Sequence, residues 1–293
     1  MFRGTYTALV TPFRDGTIDF AAFERLIEGQ IAGGITGIIP VGTTGESPTL
    51  SHDEKGQLIR RAVEIARGRC QVLAGTGSNS TAFAIAATKE GEKLGVDGAL
   101  IVAPYYNKPS QEGLFRHFST IARETKLPIM LYNIPGRCGI DILPETVLRL
   151  ANECKNVVSI KEASGSVERV SVLRALLPNE FTILSGDDGL TLPFMSVGAV
   201  GVVSVASNLL PAEVSALVRA FANGDVNEAQ RLHRRMGGLF KDLFIEPNPV
   251  PVKTALSWRG LMSSEVRLPL CEMTAANQER LRKTLAAFEK DLP

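Results

Sequence analysis

Short runs of apolar and β-branched residues recur along the chain, about 20–35 residues apart. Runs of this length and composition are typical of strands that are buried on both faces, as in a parallel sheet. We predict eight such strands, at residues 7–11, 37–41, 71–74, 98–102, 128–132, 157–161, 181–184 and 201–205.

Helical patterns with recognisable start and stop signals lie between these runs. Asp19 precedes one helix, Ser51 opens another in a variant of the capping box, and Pro144 stands in the first turn of a third. Glycines stand where helices should stop, at positions 33, 34, 95 and 224. Eight strands alternating with helices predict an α/β fold, a (β/α)8 TIM barrel. A doubly wound sheet is the alternative, but it usually has a glycine fingerprint where this chain has Thr11-Pro12-Phe13.

The strand pattern stops after Gly224, and three helices are predicted in the remainder, at 227–244, 250–258 and 275–292. A proline-rich connector at 246–251 separates the first two. We therefore divide the chain into a catalytic barrel, 1–224, and a small C-terminal all-helical region, 225–293. A region of this size suits packing or subunit contact better than independent catalysis.

Composition narrows the classes of function. The 293 residues carry 32 basic and 31 acidic side chains. These are spread along the chain and suggest no basic face, so a nucleic-acid partner is not indicated. No apolar run approaches the ~18 residues of a membrane span, and the N-terminus lacks a signal-peptide core. Four cysteines without CxxC spacing suggest reduced thiols in the cytoplasm, and three scattered histidines make a zinc site unexpected. We expect no cofactor, no membrane and small-molecule substrates.

Lys161 is the most informative single residue. It ends the apolar run 157–161, where burial disfavours the ammonium form and turns the amine into a nucleophile able to form a Schiff base. The alternative is a lysine that reaches water or pairs with Glu162.

The segment Gly42-Thr43-Thr44-Gly45-Glu46-Ser47 follows the second strand and precedes a helix. Its glycines and threonines predict a backbone nest that presents amides and hydroxyls to an anion. It lacks the lysine of a P-loop, and the acidic side chain would repel a phosphate, so a small carboxylate suits it better. An ordinary glycine-rich turn is the alternative.

Other polar side chains follow the later strands. Of the adjacent Tyr105 and Tyr106, at least one should present its hydroxyl to a cavity or a partner. Tyr132 ends the fifth strand and can shuttle protons, and Arg137 follows and can grip a carboxylate. A core aromatic and a solvated charge are the respective alternatives. Two aspartates after the seventh strand argue against the phosphate site common in barrels.

Residues 41–47, 105–107, 132–137 and 160–163 resemble the corresponding motifs of the pyruvate-dependent class I aldolases, the family of dihydrodipicolinate synthase and N-acetylneuraminate lyase. The resemblance runs essentially end to end and includes 246–249. It implies that Lys161 forms the Schiff base with pyruvate. Tyr132 would relay protons through the Thr43 hydroxyl to Tyr106, which would reach into the neighbouring subunit's site.

The resemblance also implies the binding residues. Thr43 and Thr44 would hold the pyruvate carboxylate, and backbone groups at Gly186 and Val203 would line the pocket. Arg137 matches the arginine that grips aspartate 4-semialdehyde in the synthases, whereas the sugar-acid lyases usually differ there.

The implied reaction condenses pyruvate with L-aspartate 4-semialdehyde to 4-hydroxy-tetrahydrodipicolinate, on the lysine and diaminopimelate route. A sialic-acid or 2-keto-3-deoxy sugar acid lyase and a non-catalytic keto-acid sensor are the alternatives. The resemblance further implies a homotetramer built as a dimer of dimers.

Many synthases of this family are inhibited by lysine in a cleft at a dimer interface. The matching positions here are Ser47, Pro48, His52, Lys55, Asn79, Phe83 and Tyr105. Sensitive enzymes carry glutamate where this chain has Phe83 and histidine where it has Lys55. We therefore expect weak or absent inhibition by lysine. The alternative is that Glu46 or another acid supplies the missing negative charge.

Overall fold

Eight parallel strands close into a barrel in the computed structural model, which describes residues 2–290. The barrel strands and one two-stranded hairpin, β2–β3, are numbered together: β1 Gly4–Ala8, β2 Phe13–Arg14, β3 Thr17–Ile18, β4 Gly37–Ile39, β5 Gln71–Gly75, β6 Gly98–Val102, β7 Ile129–Asn133, β8 Val157–Glu162, β9 Thr182–Ser185 and β10 Gly201–Ser204. Strand β1 pairs with both β4 and β10, and this pairing closes the ring. The predicted TIM barrel is thus confirmed.

Helices cover the outside of the barrel and form the C-terminal region. Their bounds are α1 Phe20–Ala32, α2 His52–Ala66, α3 Thr81–Lys93, α4 Gln111–Arg123, α5 Pro135–Cys138, α6 Pro144–Glu153, α7 Val167–Leu176, α8 Thr191–Ser196, α9 Pro211–Ala222, α10 Val226–Asp242, α11 Val250–Trp258 and α12 Ala275–Lys290. Two short 3-10 helices, Ser47–Thr49 and Ala206–Asn208, lie in loops.

The predicted helix signals are confirmed by local hydrogen bonds. The Ser51 hydroxyl accepts from the Glu54 amide while the Glu54 carboxylate accepts from the Ser51 amide, which completes a capping box at α2. Asp19 caps α1 through a single hydrogen bond, which its carboxylate accepts from the Ala22 amide. Helix α6 begins at Pro144, where the missing amide proton costs no helical bond.

Two apolar layers hold the barrel together. A small interior cluster fills the ring with side chains from alternate strand positions, namely Phe2, Tyr6, Ala8, Ile39, Leu73, Leu100, Met130, Tyr132, Leu184 and Val203. A much larger cluster lies between the strands and the surrounding helices. Both faces of each barrel strand are therefore buried, which explains the uninterrupted apolar runs in the sequence.

The first strand was predicted three residues too late. Residues 7–11 were expected, but β1 covers Gly4–Ala8, and the chain leaves the sheet before it enters the unpredicted β2–β3 hairpin. Leu9 and Val10 are nevertheless fully buried, so their apolar character reflects packing rather than strand pairing. The other seven strands lie within two residues of the prediction at each end.

The C-terminal region contains the three predicted helices, and residues 291 and 292 of the last prediction lie outside the described chain. The proposed division after residue 224 falls between α9 and α10 and stays a prediction. Strong contacts connect the two parts. Lys253 of α11 pairs with Glu46 of the barrel at 2.6 Å, and both side chains are fully buried.

Candidate active site

Lys161 lies inside the barrel near the carboxyl end of β8. It pairs in register with Tyr132 of β7 and with Leu184 of β9, two members of the interior cluster. Residues paired in register share a face of the sheet, so the lysine side chain points inward as well. Its Nζ lies 4.0 Å from the centre of the Tyr132 ring, and only 5% of the residue is exposed.

The surroundings of Lys161 favour the neutral amine. Burial lowers its pKa from 10.5 to about 7, with the positive charge of Arg137 acting in the same direction and the charge of Asp188 opposing it. The pairing with Glu162 that the sequence left open is not seen. The Glu162 carboxylate accepts instead from Arg169 at 2.8 Å and from Asn133 at 3.1 Å.

Asp188 is a charged neighbour that sequence reasoning did not single out as a site residue. Its buried carboxylate accepts from the Ser204 hydroxyl and from the amides of Val205 and Ala206. Burial raises the pKa of Asp188, while these three donors favour the ionised form. The sequence signal was an aspartate pair after a strand, but only the fold brings one of its carboxylates near Lys161.

Tyr132 is buried beside the lysine. Burial raises the pKa of its phenol, while the charge of Arg137 and a hydrogen bond with the Thr43 side chain act in the opposite direction. The structure thus brings together three of the four predicted catalytic side chains, Lys161, Tyr132 and Thr43. Tyr132 stays protonated near neutral pH and can donate a proton.

The loop 42–47 is a tight turn closed by its own backbone. The Glu46 amide donates to the Thr43 carbonyl at 3.1 Å, and the Ser47 amide donates to the Gly42 carbonyl at 3.2 Å. Glu46 adopts a left-handed conformation with a φ of 56°. The amides of residues 43–45 take no part in these turn bonds, which suits the predicted anion nest.

Two residues of the C-terminal region support this loop, and sequence reasoning assigned neither of them a role. The Asn248 amide nitrogen donates to the Thr44 hydroxyl oxygen at 2.9 Å. Lys253 donates to the Glu46 carboxylate and to the Thr11 carbonyl. Asn248 falls in the 246–249 segment that the resemblance included, but nothing in the sequence connects it to Thr44, 204 positions away.

Gly186 borders the lysine, and Val203 belongs to the interior cluster; that their backbone groups line a substrate pocket stays a prediction. A β-carbon at Gly186 would lie 3.1 Å from the Lys161 Cε and 2.7 Å from the Ala163 Cβ. Any side chain there would displace the lysine or its neighbour. Val203 is a fully buried member of the interior cluster, which also contains Tyr132.

Arg137 and the tyrosine pair lie at the surface of the single chain. Arg137 is exposed on the short α5, and its guanidinium reaches the Asn248 carbonyl at 3.4 Å. Tyr106 is 88% exposed in a left-handed conformation, and Tyr105 is 38% exposed. Within one chain the structure therefore does not bury the fourth predicted catalytic side chain, Tyr106.

The positions predicted for a regulatory cleft follow β4, β5 and β6. Ser47 and Pro48 lie in the first 3-10 helix, His52 and Lys55 on α2, Phe83 on α3, and Asn79 and Tyr105 in loops. The Asn79 carbonyl accepts from the Asn107 side chain at 2.9 Å, which fastens the tyrosine loop to the loop before α3. His52 lies 3.2 Å from Glu90.

The described residues, 2–290, contain neither a membrane-spanning helix nor a cluster of metal ligands. Within this part of the chain, no helix has the length and apolar character needed to cross a membrane. The same residues contain no group of three or more histidine, cysteine or acidic side chains placed to hold a metal ion.

Comparison with known proteins covers nearly the whole chain. Residues 1–288 match the model of the dihydrodipicolinate synthetase family. The 4-hydroxy-tetrahydrodipicolinate synthase of Endomicrobium trichonymphae is 52% identical over 98% of this chain and 99% of that protein. The solved structure of the same enzyme from Methylacidiphilum fumariolicum SolV is 61% identical, with a TM-score of 0.98 over 99% of this chain and 97% of that one. The DHDPS of Cyanidioschyzon merolae, solved with lysine bound, is 45% identical, with a TM-score of 0.96 over 98% of both chains.

Proposed function

Since the chain belongs to the dihydrodipicolinate synthetase family, we propose that it is a Schiff-base-forming lyase that condenses pyruvate with L-aspartate 4-semialdehyde. The product is 4-hydroxy-tetrahydrodipicolinate, an intermediate of lysine and diaminopimelate biosynthesis. The observation that supports this most strongly is the amine of Lys161, which is buried inside the barrel with its pKa lowered to about 7. A substantial fraction of it is neutral at physiological pH and can attack a carbonyl.

The reaction begins with an imine between Lys161 and pyruvate. The amine nitrogen attacks the keto carbon, and the keto oxygen leaves as water after it has been protonated. The Tyr132 phenol is the proton donor, because it is protonated near neutral pH and its ring lies against the lysine. The Thr43 hydroxyl connects it to the next member of the relay, which the resemblance identifies as Tyr106.

Carbon–carbon bond formation follows from the imine. The Tyr132 phenolate, left when the phenol has given up its proton, takes a methyl proton and converts the protonated imine to an enamine. The terminal carbon of the enamine attacks the aldehyde carbon of the second substrate, the aldehyde oxygen takes up the proton and becomes the hydroxyl group, and the imine forms again. The amino group of that substrate then attacks the imine carbon and displaces Lys161, which closes the ring and regenerates the free amine. No cofactor is needed, since the imine nitrogen accepts the electron pair at the enamine stage.

Two carboxylate sites hold the substrates. The loop 42–47 takes the carboxylate of pyruvate through backbone amides and the hydroxyls of Thr43 and Thr44. Arg137 takes the carboxylate of the semialdehyde through its planar guanidinium. Its exposure in the single chain suits a residue at the mouth of the site, where the second substrate enters last.

We propose further that the enzyme is a cytoplasmic homotetramer, a dimer of dimers in which Tyr106 completes the neighbouring subunit's relay. The support is the 88% exposure of Tyr106 next to the partly exposed Tyr105. Large aromatic side chains at such exposure are typical of subunit interfaces. The four free cysteines, Cys70, Cys138, Cys154 and Cys271, suit a reducing compartment.

Trapping the imine tests the proposal. Incubation with pyruvate and borohydride should add one reduced pyruvate to each chain, and peptide mapping should place it on Lys161. An adduct on Lys253 or Lys108 would contradict the assignment. Lys253 is an informative comparison, because it is also buried but is held by Glu46 and by the Thr11 carbonyl. Absence of any adduct would overturn the Schiff-base mechanism itself.

A further inference from the structure

We propose that Asn248, at the N-terminal side of α11, is a positioning residue that sets the Thr44 hydroxyl to donate to the carboxylate of pyruvate. The inference rests on the proposed function and deepens it. It gives the C-terminal helical region a part in substrate recognition, in addition to the packing or subunit contact expected from the sequence.

Asn248 donates a hydrogen bond to Thr44 and does not accept one from it. The Asn248 amide nitrogen lies 2.9 Å from the Thr44 hydroxyl oxygen, and an amide nitrogen can only donate. The threonine oxygen is therefore the acceptor, and its own hydrogen stays free to donate elsewhere. A hydroxyl that accepts one bond also becomes a better donor in the next. The amide thus orients and polarises the group that the proposed function places on an anion.

The oxygen of the same Asn248 amide is buried and has no partner among the described residues. The residue as a whole is only 6% exposed. A buried, unpaired amide oxygen is unfavourable, because it has lost its hydrogen bonds to water and gained none in the protein. An amide that served folding alone would normally have both ends paired. One paired and one unpaired end suggests that the Thr44 contact is what this side chain serves.

Asn248 lies between the two proposed carboxylate sites. Its side chain contacts Thr44, and its backbone carbonyl accepts from the Arg137 guanidinium at 3.4 Å. The segment is held in place from the adjoining helix, because Lys253 pairs with Glu46 in the same loop as Thr44. The amide is therefore supported by a buried ion pair and not by an exposed loop alone.

The experiment measures how much pyruvate is needed to form the trapped adduct. Wild type, Asn248→Leu, Thr44→Val and the double variant are incubated over a range of pyruvate concentrations with borohydride, and the adduct is quantified by intact mass. Leucine has nearly the shape of asparagine without the donor. Asn248→Ala is measured alongside, in case the branched side chain disturbs folding. Asn277→Ala is the matched control, since that amide binds Glu246 in the same region and not Thr44.

We expect Asn248→Leu and Asn248→Ala to raise the half-saturating pyruvate concentration about tenfold, while the trapping rate at saturating pyruvate changes little. In the Thr44→Val background the same substitution should change it less than about twofold, because the coupled group is already gone. Asn277→Ala should match wild type. The inference is overturned if Asn248 variants bind pyruvate normally, or if the effects of the two substitutions simply add. An unreactive wild type would overturn the proposed function instead, so the two failures are distinguishable.

Discussion

At the scale of single residues, the reactivity of Lys161 is set by a balance between burial and charge. Burial is the larger effect and lowers the pKa, while the Asp188 carboxylate raises it and so limits the shift. A lysine that is neutral in the folded protein and charged in the unfolded chain also costs stability around neutral pH. Between pH 7 and 10.5 the lysine is protonated in the unfolded chain but largely neutral in the folded protein. The loss of folding free energy that this causes therefore decreases as the pH rises from 7 to 10.5.

Asp188→Asn should shift the pH dependence of imine formation to lower pH. Removing a negative charge near the ammonium disfavours the charged form, so the pKa of Lys161 falls below about 7. The ascending limb of the borohydride-trapping rate against pH reports this value. Asp187→Asn is the matched control, because the carboxylate of that exposed neighbour accepts from the Gly189 amide in its own loop and not from the segment 204–206 that holds Asp188. An unmoved limb in Asp188→Asn would show that its charge does not reach the amine.

Arg137→Ala should impair use of the semialdehyde far more than trapping of pyruvate. Loss of a bidentate carboxylate contact should remove about 2–4 kcal/mol of transition-state stabilisation. The measurement is kcat/KM for the aldehyde beside the pyruvate dependence of adduct formation. Arg137→Lys separates charge from geometry, since lysine keeps the charge but lacks the planar fork. Normal condensation by the alanine variant would make this residue a solvated loop charge and would favour a sugar-acid substrate.

At the scale of elements, the loop 42–47 and helix α11 form one unit. Glu46 sits in a left-handed conformation that a non-glycine residue adopts only when its surroundings hold it there. Its carboxylate accepts from Lys253 on one side and from the Arg267 amide on the other. The shape of the loop 42–47, the predicted anion nest, is therefore fixed from the C-terminal region.

Lys253→Met should destabilise the protein by about 3–5 kcal/mol, because it leaves the Glu46 carboxylate buried without its counter-ion. Urea unfolding measures the change. Adding Glu46→Gln should restore part of the loss, since the uncompensated charge is then removed. Lys283→Met is the control, because its pair with Glu279 is exposed and worth little. A loss no larger than that of the control would mean that the pair does not hold the loop.

The boundaries of helices were easier to predict from the sequence than those of strands. Helix boundaries followed from local chemistry, such as the Ser51–Glu54 capping box, and were right. The start of β1 was not, because residues 9–11 have the composition of a strand but are buried by packing outside the sheet. Burial alone thus produces the same apolar pattern as strand pairing. Only the register with β4 and β10 separates the two.

At the scale of the whole molecule, the site depends on contacts between distant parts of the chain. Lys161, Tyr132 and the loop 42–47 could be recognised as candidates because each ends or follows a predicted strand, and a barrel gathers strand ends on one face. Asn248 and Lys253 could not, because their partners lie 204 and 207 positions away. No local pattern encodes such a pairing.

The predicted insensitivity to lysine depends on contacts between subunits, since the proposed cleft lies at a subunit interface. A bound lysine would place its ammonium near Lys55, a half-buried cation whose pKa is lowered by burial alone. It would meet Phe83, 72% exposed in the single chain, where sensitive enzymes offer a carboxylate. Glu46 cannot supply the missing charge, because its side chain is fully buried against Lys253.

We therefore expect weak or absent inhibition by millimolar lysine, since each departure should cost about 1–3 kcal/mol of binding free energy. An inhibition curve at saturating substrates measures it. Phe83→Glu combined with Lys55→His should create sensitivity, because it restores the carboxylate and removes the like charge. Strong submillimolar inhibition of the wild type would contradict the prediction. It would direct attention to Glu90, an acid that lies 3.2 Å from His52. In that case Glu90→Gln should abolish the inhibition, because the carboxylate that receives the ligand's ammonium would be gone.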